Sequence, residues 1–157
     1  MSARQDPGTG IPVPEYGVTI PWRITQTELY ELIPRDRFEA CAHGLTVLRF
    51  TLFGHAAPYW FNFVSYPWLS EVQFFRCRPC WRAIKPRYRA SADALRKALG
   101  PTSHTEYRDG QQIWDFANVR VENYVHRGWR PMERPPQRRG TRYLHTLSVR
   151  LRSDAQR

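Results

Sequence analysis

The feature that most narrows the folds open to this chain is a two-residue alternation of apolar and polar side chains that recurs on both sides of one long helical stripe. Leu48, Phe50 and Leu52 alternate with Val47, Arg49 and Thr51, which in an extended strand turns one set toward a core and the other outward. The same period returns in residues 71–76, where Val72 and Phe74 face away from Glu71 and Gln73. It returns again in 118–126, through Val119, Val121 and Val125, and in 143–151, through Tyr143, His145, Leu147, Val149 and Leu151. Residues 59–65 are dense in aromatic and β-branched side chains and add a further strand, with Tyr66-Pro67 as the turn after it. Asp109-Gly110, between residues 104–108 and 111–116, has the chemistry of a two-residue hairpin turn.

Between these sets of strands, Tyr88, Ala92, Leu95 and Leu99 line one helix face while Arg89, Asp93, Arg96 and Lys97 point away. Pro86 is placed to start that helix and Gly100-Pro101 to stop it. A shorter helix follows Thr25, whose spacing to Glu28 makes a capping box ahead of Leu29, Leu32 and Ile33, and Pro34 ends it. A meander, a helix and then more strands predict an α+β fold, a mostly antiparallel sheet with one or two helices packed on one face. The opposite face, bearing Arg49, Arg120, Glu122 and Arg150, is expected to be solvated or to meet a partner.

The length of 157 residues suits one domain, placed at residues 22–152. Residues 1–21 carry Pro7, Pro12 and Pro14 without periodicity and read as an extended arm outside the core, with freedom to move. Residues 153–157 read as a tail, and 127–141 as a long basic loop broken by Pro131, Pro135 and Pro136. The first twenty residues hold no apolar run of the signal-peptide kind, and no uncharged stretch is long enough for a bilayer. Three cysteines are an odd number for a disulfide framework. These features predict a cytoplasmic protein with no membrane part.

Charge points to a partner. Basic residues outnumber acidic ones by 24 to 14, giving a net charge of +10, and Lys85 and Lys97 are the only lysines. Guanidinium groups recognise carboxylate and phosphate in a bidentate manner and stack on aromatic rings, although a compositional preference for arginine would give the same totals. The charge concentrates in two segments. Residues 76–89 hold Arg76, Arg78, Arg82, Lys85, Arg87 and Arg89 with Trp81 and Tyr88 among them and no acid, and 127–142 repeat that character around Trp129 with Glu133 as the single acid. Arg78, Trp81, Arg82, Arg87, Trp129, Arg130, Arg138 and Arg139 are the expected partner-binding residues, since arginine and tryptophan dominate binding hot spots.

Catalytic chemistry is less evident. Cys77 and Cys80, joined by Cys41 and His43, have the donor types of a tetrahedral zinc site. Cys41-x-His43 is not a second pair of zinc-site spacing, so thiols at a strand end are the preferred account of Cys77 and Cys80 and no metal or cofactor is expected. A redox dithiol is disfavoured because the pair does not open a helix behind a parallel strand. His104, His126 and His145 accompany no nucleophile at usable spacing, and no glycine-rich phosphate loop occurs. The expectation is therefore a protein without catalysis.

The stretch 88–125 resembles the small bacterial α+β immunity proteins found beside polymorphic toxins. The resemblance rests on Leu95-Arg96-Lys97-Ala98-Leu99-Gly100-Pro101 ending the helix, the Asp109-Gly110 turn, Trp114, and Val119-Arg120-Val121-Glu122, about a quarter of the chain. It implies an inhibitor that blocks a toxin by surface complementarity. The positive charge departs from the acidic surfaces of nuclease inhibitors, so the implied partner presents an acidic protein surface. Nucleic acid, bound through arginine and stacked aromatic rings, is the alternative partner.

Overall fold

Alternation at period two builds most of the molecule. The computed structural model describes residues 6–40, 46–63, 66–106, 111–127 and 143–152. In chain order the elements are β1 (Ile11–Val13), β2 (Val18–Ile20), α1 (Gln26–Leu32), β3 (Glu39–Ala40), β4 (Thr46–Leu52), β5 (His55–Asn62), β6 (Glu71–Arg78), α2 (Trp81–Leu99), β7 (His104–Glu106), β8 (Gln111–Asp115), β9 (Val119–Arg127) and β10 (Tyr143–Leu151). The fold is α+β. Eight strands form one sheet in the order β3-β4-β5-β6-β10-β9-β8-β7, and every neighbouring pair is antiparallel. It consists of two four-stranded meanders, β3 to β6 and β7 to β10, laid side by side at the β6–β10 seam, with α2 connecting one to the other.

The register sorts side chains onto two faces. Leu147 lies opposite Phe74 and Asn123, and Val149 opposite Val72 and Val121. Together with Leu48, Phe50, Leu52, Tyr59, Phe61 and Trp114, the apolar members of these pairs make one buried cluster with Leu95 and Leu99 of α2. The other face carries the charged partners. Arg49 donates to Glu39 at 3.0 Å, Arg120 to Asp115 at 2.7 Å and Arg150 to Glu122 at 2.9 Å, while Ser148 donates to Glu71 at 2.7 Å. The arginines expected on an outward face are there, each tied to an acid of its own sheet.

Thr25 caps α1 through the full capping box, its hydroxyl accepting from the Glu28 N–H. Leu29 and Ile33 are buried, but Leu32 is 40% exposed and does not join the stripe. The Leu52–His55 pairing leaves Phe53 and Gly54 as a two-residue turn with φ of 51° and 79°. Positive φ at both positions matches the twist of an antiparallel hairpin, and the left-handed φ at Phe53 is tolerated because its ring is fully buried.

Three expectations are corrected. Residues 6–21 are not a free arm outside the core: Ile11, Val13 and Ile20 are wholly buried in the main cluster, and β1 pairs with β2. The segment is fastened by the Trp22 indole N–H, which donates to the Pro7 carbonyl at 2.8 Å, and by Asn118, which donates to the Gly8 carbonyl at 2.9 Å. Pro7 and Pro14 occupy short turns while Pro12 sits within β1 opposite Thr19, a hairpin too small to show a period. The main helix begins at Trp81, not at Pro86, which lies inside it. Starting earlier buries Ile84 against Tyr88 and Val125, worth about 1.5–3 kcal/mol against the lost hydrogen bond at Pro86. The third correction concerns strand ends. The strand expected at 59–65 runs from His55 to Asn62, and the β7–β8 register sets Glu106 opposite Gln111. A turn at Asp109-Gly110 would set Arg108 there instead; residues 107–110 themselves lie outside the described residues, as does the tail 153–157.

Candidate functional site

The basic segment 76–89 folds into a corner where β6 gives way to α2. Arg76 and Arg78 end the strand, Cys80 is the N-cap of the helix, and Arg82, Lys85, Arg87 and Arg89 follow in its first turns. Arg82 and Arg89 are seven residues apart, two turns, and share the outward face, while Arg87 lies on a flank of the helix. None of the six has an acidic partner among the described residues, in contrast to the arginines of the open sheet face. Trp81 is 37% exposed and packs its ring between those of Tyr88 and Tyr143, at centroid distances of 6.4 and 6.1 Å.

The β6–β10–β9 register extends this corner. Arg78 lies opposite Tyr143, and Tyr143 lies opposite Arg127. The second basic segment therefore leaves and re-enters the sheet beside the first. Of the expected binding residues, Arg78, Trp81, Arg82 and Arg87 come together here. Trp129, Arg130, Arg138 and Arg139 lie outside the described residues.

Beside the corner the sheet splits. β5 and β6 pair only through Trp60–Gln73, Phe61–Val72 and Asn62–Glu71. Pro58, which has no N–H to donate, sits just beyond the last pair, and a proline in an interior strand removes a rung of the ladder. Residues 55–58 part from the second half of β6, and a cleft of about 640 Å³ opens between them. Phe50, Ala57 and Phe74 form apolar walls, and His55, Arg76 and Arg87 bring polar groups to it. Burial, and then the neighbouring charges of Arg87 and Arg78, push the Arg76 pKa down, the signature of guanidinium groups gathered without a counter-charge.

Proton counting fixes the His55 tautomer. The Tyr59 hydroxyl donates its one proton to the His55 carbonyl at 3.0 Å, so at 2.8 Å it accepts from His55 Nδ1–H. His55 Nε2 then carries a lone pair. Burial, with the charge of Arg76 second, pushes this histidine down to about 4, leaving it neutral at pH 7.

A second polar group lies deeper. Ser91, Asn123 and His145 are fully buried, with Gln112 next to them. Asn123 donates to Gln112 Oε1 at 3.2 Å, so its own oxygen accepts from His145 Nε2–H at 2.8 Å, while the Ser91 hydroxyl donates to the Tyr88 carbonyl at 2.8 Å. Ser91 also lies 3.2 Å from His145 Nε2. These are the residue types of a hydrolytic triad in a different arrangement. Serine and amide crowd the same imidazole nitrogen, whereas a triad needs the orienting group on the other one. His145 Nδ1 is buried without a partner among the described residues. Burial, then His55 and Arg76, push this imidazole down to about 3. His145 is thus more buried than a half-buried strand position and is satisfied at one nitrogen only.

Cys77 is half-buried and Cys80 exposed; Cys41 and His43 lie outside the described residues. Cys80 opens α2 because that helix starts earlier than expected, and it does so behind a strand antiparallel to its neighbours, not a parallel one. No helix among the described residues is long and apolar enough to cross a membrane. Arg76 and His55 are the site residues that sequence reasoning left out. The available signal was Pro58, a proline inside an otherwise strand-like run.

Compared with protein-family models, curated proteins and solved structures, the chain matches none.

Proposed function

We propose that this protein is a cytoplasmic interaction module without catalysis of its own, of the immunity-inhibitor type, that binds an acidic protein surface through the β6–α2 corner. The observation that carries this reading is the meeting of both basic segments at one end of the sheet, where Arg78, Tyr143 and Arg127 are adjacent in register and Trp81 is exposed beside them. Arginines without acids of their own offer their full bidentate capacity to carboxylates of a partner, and a half-exposed tryptophan supplies the apolar anchor such interfaces need. Like charges collected in one place also speed the encounter with an opposite surface.

The exposed Trp81 ring among guanidiniums also favours a second reading, single-stranded nucleic acid held by stacking and phosphate contacts. A pull-down with the purified protein, run with and without nuclease, separates the two. Retention of one acidic protein after nuclease, and its loss from the double variant Arg78→Glu, Arg82→Glu, is the expected result. Loss of every partner on nuclease treatment replaces the protein-binding reading with the nucleic-acid one.

A further inference from the structure

The cleft between β5 and β6 has properties that the corner surface does not need. It is partly open, with apolar and polar groups both on its walls, and its volume falls in the range of small-molecule sites, roughly 300–1,000 Å³. Of the charged side chains on its walls, Arg49 is held by Glu39 at 3.0 Å, and the Glu15 carboxylate accepts from the Thr51 N–H at 2.6 Å. Arg76 and Arg87 have no such partner among the described residues. His55 also lines the cleft, its Nδ1 paired with the Tyr59 hydroxyl at 2.8 Å, and His145 lies behind that wall, opposite Arg76 in the sheet with its ring 6.3 Å from that of His55.

We propose that this cleft binds a small organic oxyanion, a single carboxylate or phosphate on an apolar body, with the oxyanion between Arg76 and Arg87 and the body against Phe50, Ala57 and Phe74. A hydroxyl or amine on the same ligand donates to His55 Nε2. Forked guanidinium donors supply the charge-assisted bonds that such a group requires. An apolar body adds contacts with Ala57 and the ring edges that line the cleft, which a bare inorganic ion does not make. Arg87 is common to this cleft and to the corner proposed above to bind a protein, whereas Arg78 and Arg82 do not line the cleft.

The test is a titration of the whole chain with benzoate, phenyl phosphate, inorganic phosphate and uncharged benzyl alcohol, followed by calorimetry and by the NMR signals of the histidine rings. Saturable binding of benzoate or phenyl phosphate, with a shift of the His55 signal and an affinity above that of inorganic phosphate, is the expected outcome; whichever is tighter names the oxyanion. Arg87 is exposed on its helix, so Arg87→Gln leaves the fold in place. It should weaken binding by about tenfold or more, the usual worth of a hydrogen bond to a charged group, while Lys97→Gln, with the same charge lost from the same helix, leaves affinity unchanged. Binding of benzyl alcohol as tight as that of benzoate overturns the proposal, as does an equal loss in the two variants, or no His55 shift with any anion. The variant Arg82→Glu, on the outward face of α2 and outside the cleft lining, retains the anion whether or not it retains a protein partner, so the two proposals fail separately.

Discussion

His145 and His55 are held neutral by burial, and this fixes how stability responds to acid. Their pKa values are pushed down to about 3 and about 4 from an ordinary 6.5. Below pH 6.5 the unfolded chain takes up protons that the folded chain refuses, so the unfolded state binds more protons and stability falls as pH falls. Each imidazole contributes about 1.4 kcal/mol per pH unit inside its window, which runs from 6.5 down to about 4 for His55 and to about 3 for His145. Urea unfolding at pH 7, 6 and 5 should show a steady loss of stability. His145→Gln, which keeps a polar side chain but cannot titrate, should flatten the dependence by about one imidazole's share. Identical slopes for the two proteins would show that His145 is not neutral in the fold.

At the scale of elements, α2 contains its own weak point. Pro86 lies in the second turn, where it withholds the N–H that the Arg82 carbonyl would accept, and an interior proline costs about 3 kcal/mol relative to alanine. Pro86→Ala should therefore raise the urea midpoint, by on the order of 1–3 kcal/mol in stability, and an unchanged or lower midpoint would mean that the proline ring itself packs usefully. The same residue explains why the helix start was misread from sequence. Proline favours first turns and so points to a start at Pro86, although Ile84 continues the stripe of Tyr88, Ala92, Leu95 and Leu99 by one more turn. Strands with clean alternation, β4, β6, β9 and β10, were legible because one side chain in two faces the core. β1 and β2 were not, since three residues each are too few for a period to register. The site was half legible: arginine and tryptophan announced the corner, whereas the cleft depends on which strands become neighbours, and no local pattern states that β5 lies against β6 for only three rungs.

For the molecule as a whole, the N-terminal residues decide whether the fold is complete. Removing residues 1–21 takes Ile11, Val13 and Ile20 from the core, at about 1.5–3 kcal/mol each, so roughly 5–9 kcal/mol is lost from a total that for most domains is about 5–15 kcal/mol. A chain beginning at Trp22 should lose its cooperative unfolding transition and the dispersion of its NMR spectrum. A truncated protein that melts like the full chain would restore the view of this segment as an appendage. The sheet's outermost strands, Glu39–Ala40 and His104–Glu106, are two and three residues long. They leave little unpaired backbone on which another chain could continue the ladder. Among the described residues the two flanks of the sheet thus offer short edges for strand addition, and a protein partner at the β6–α2 corner meets strand ends and is read by side chains.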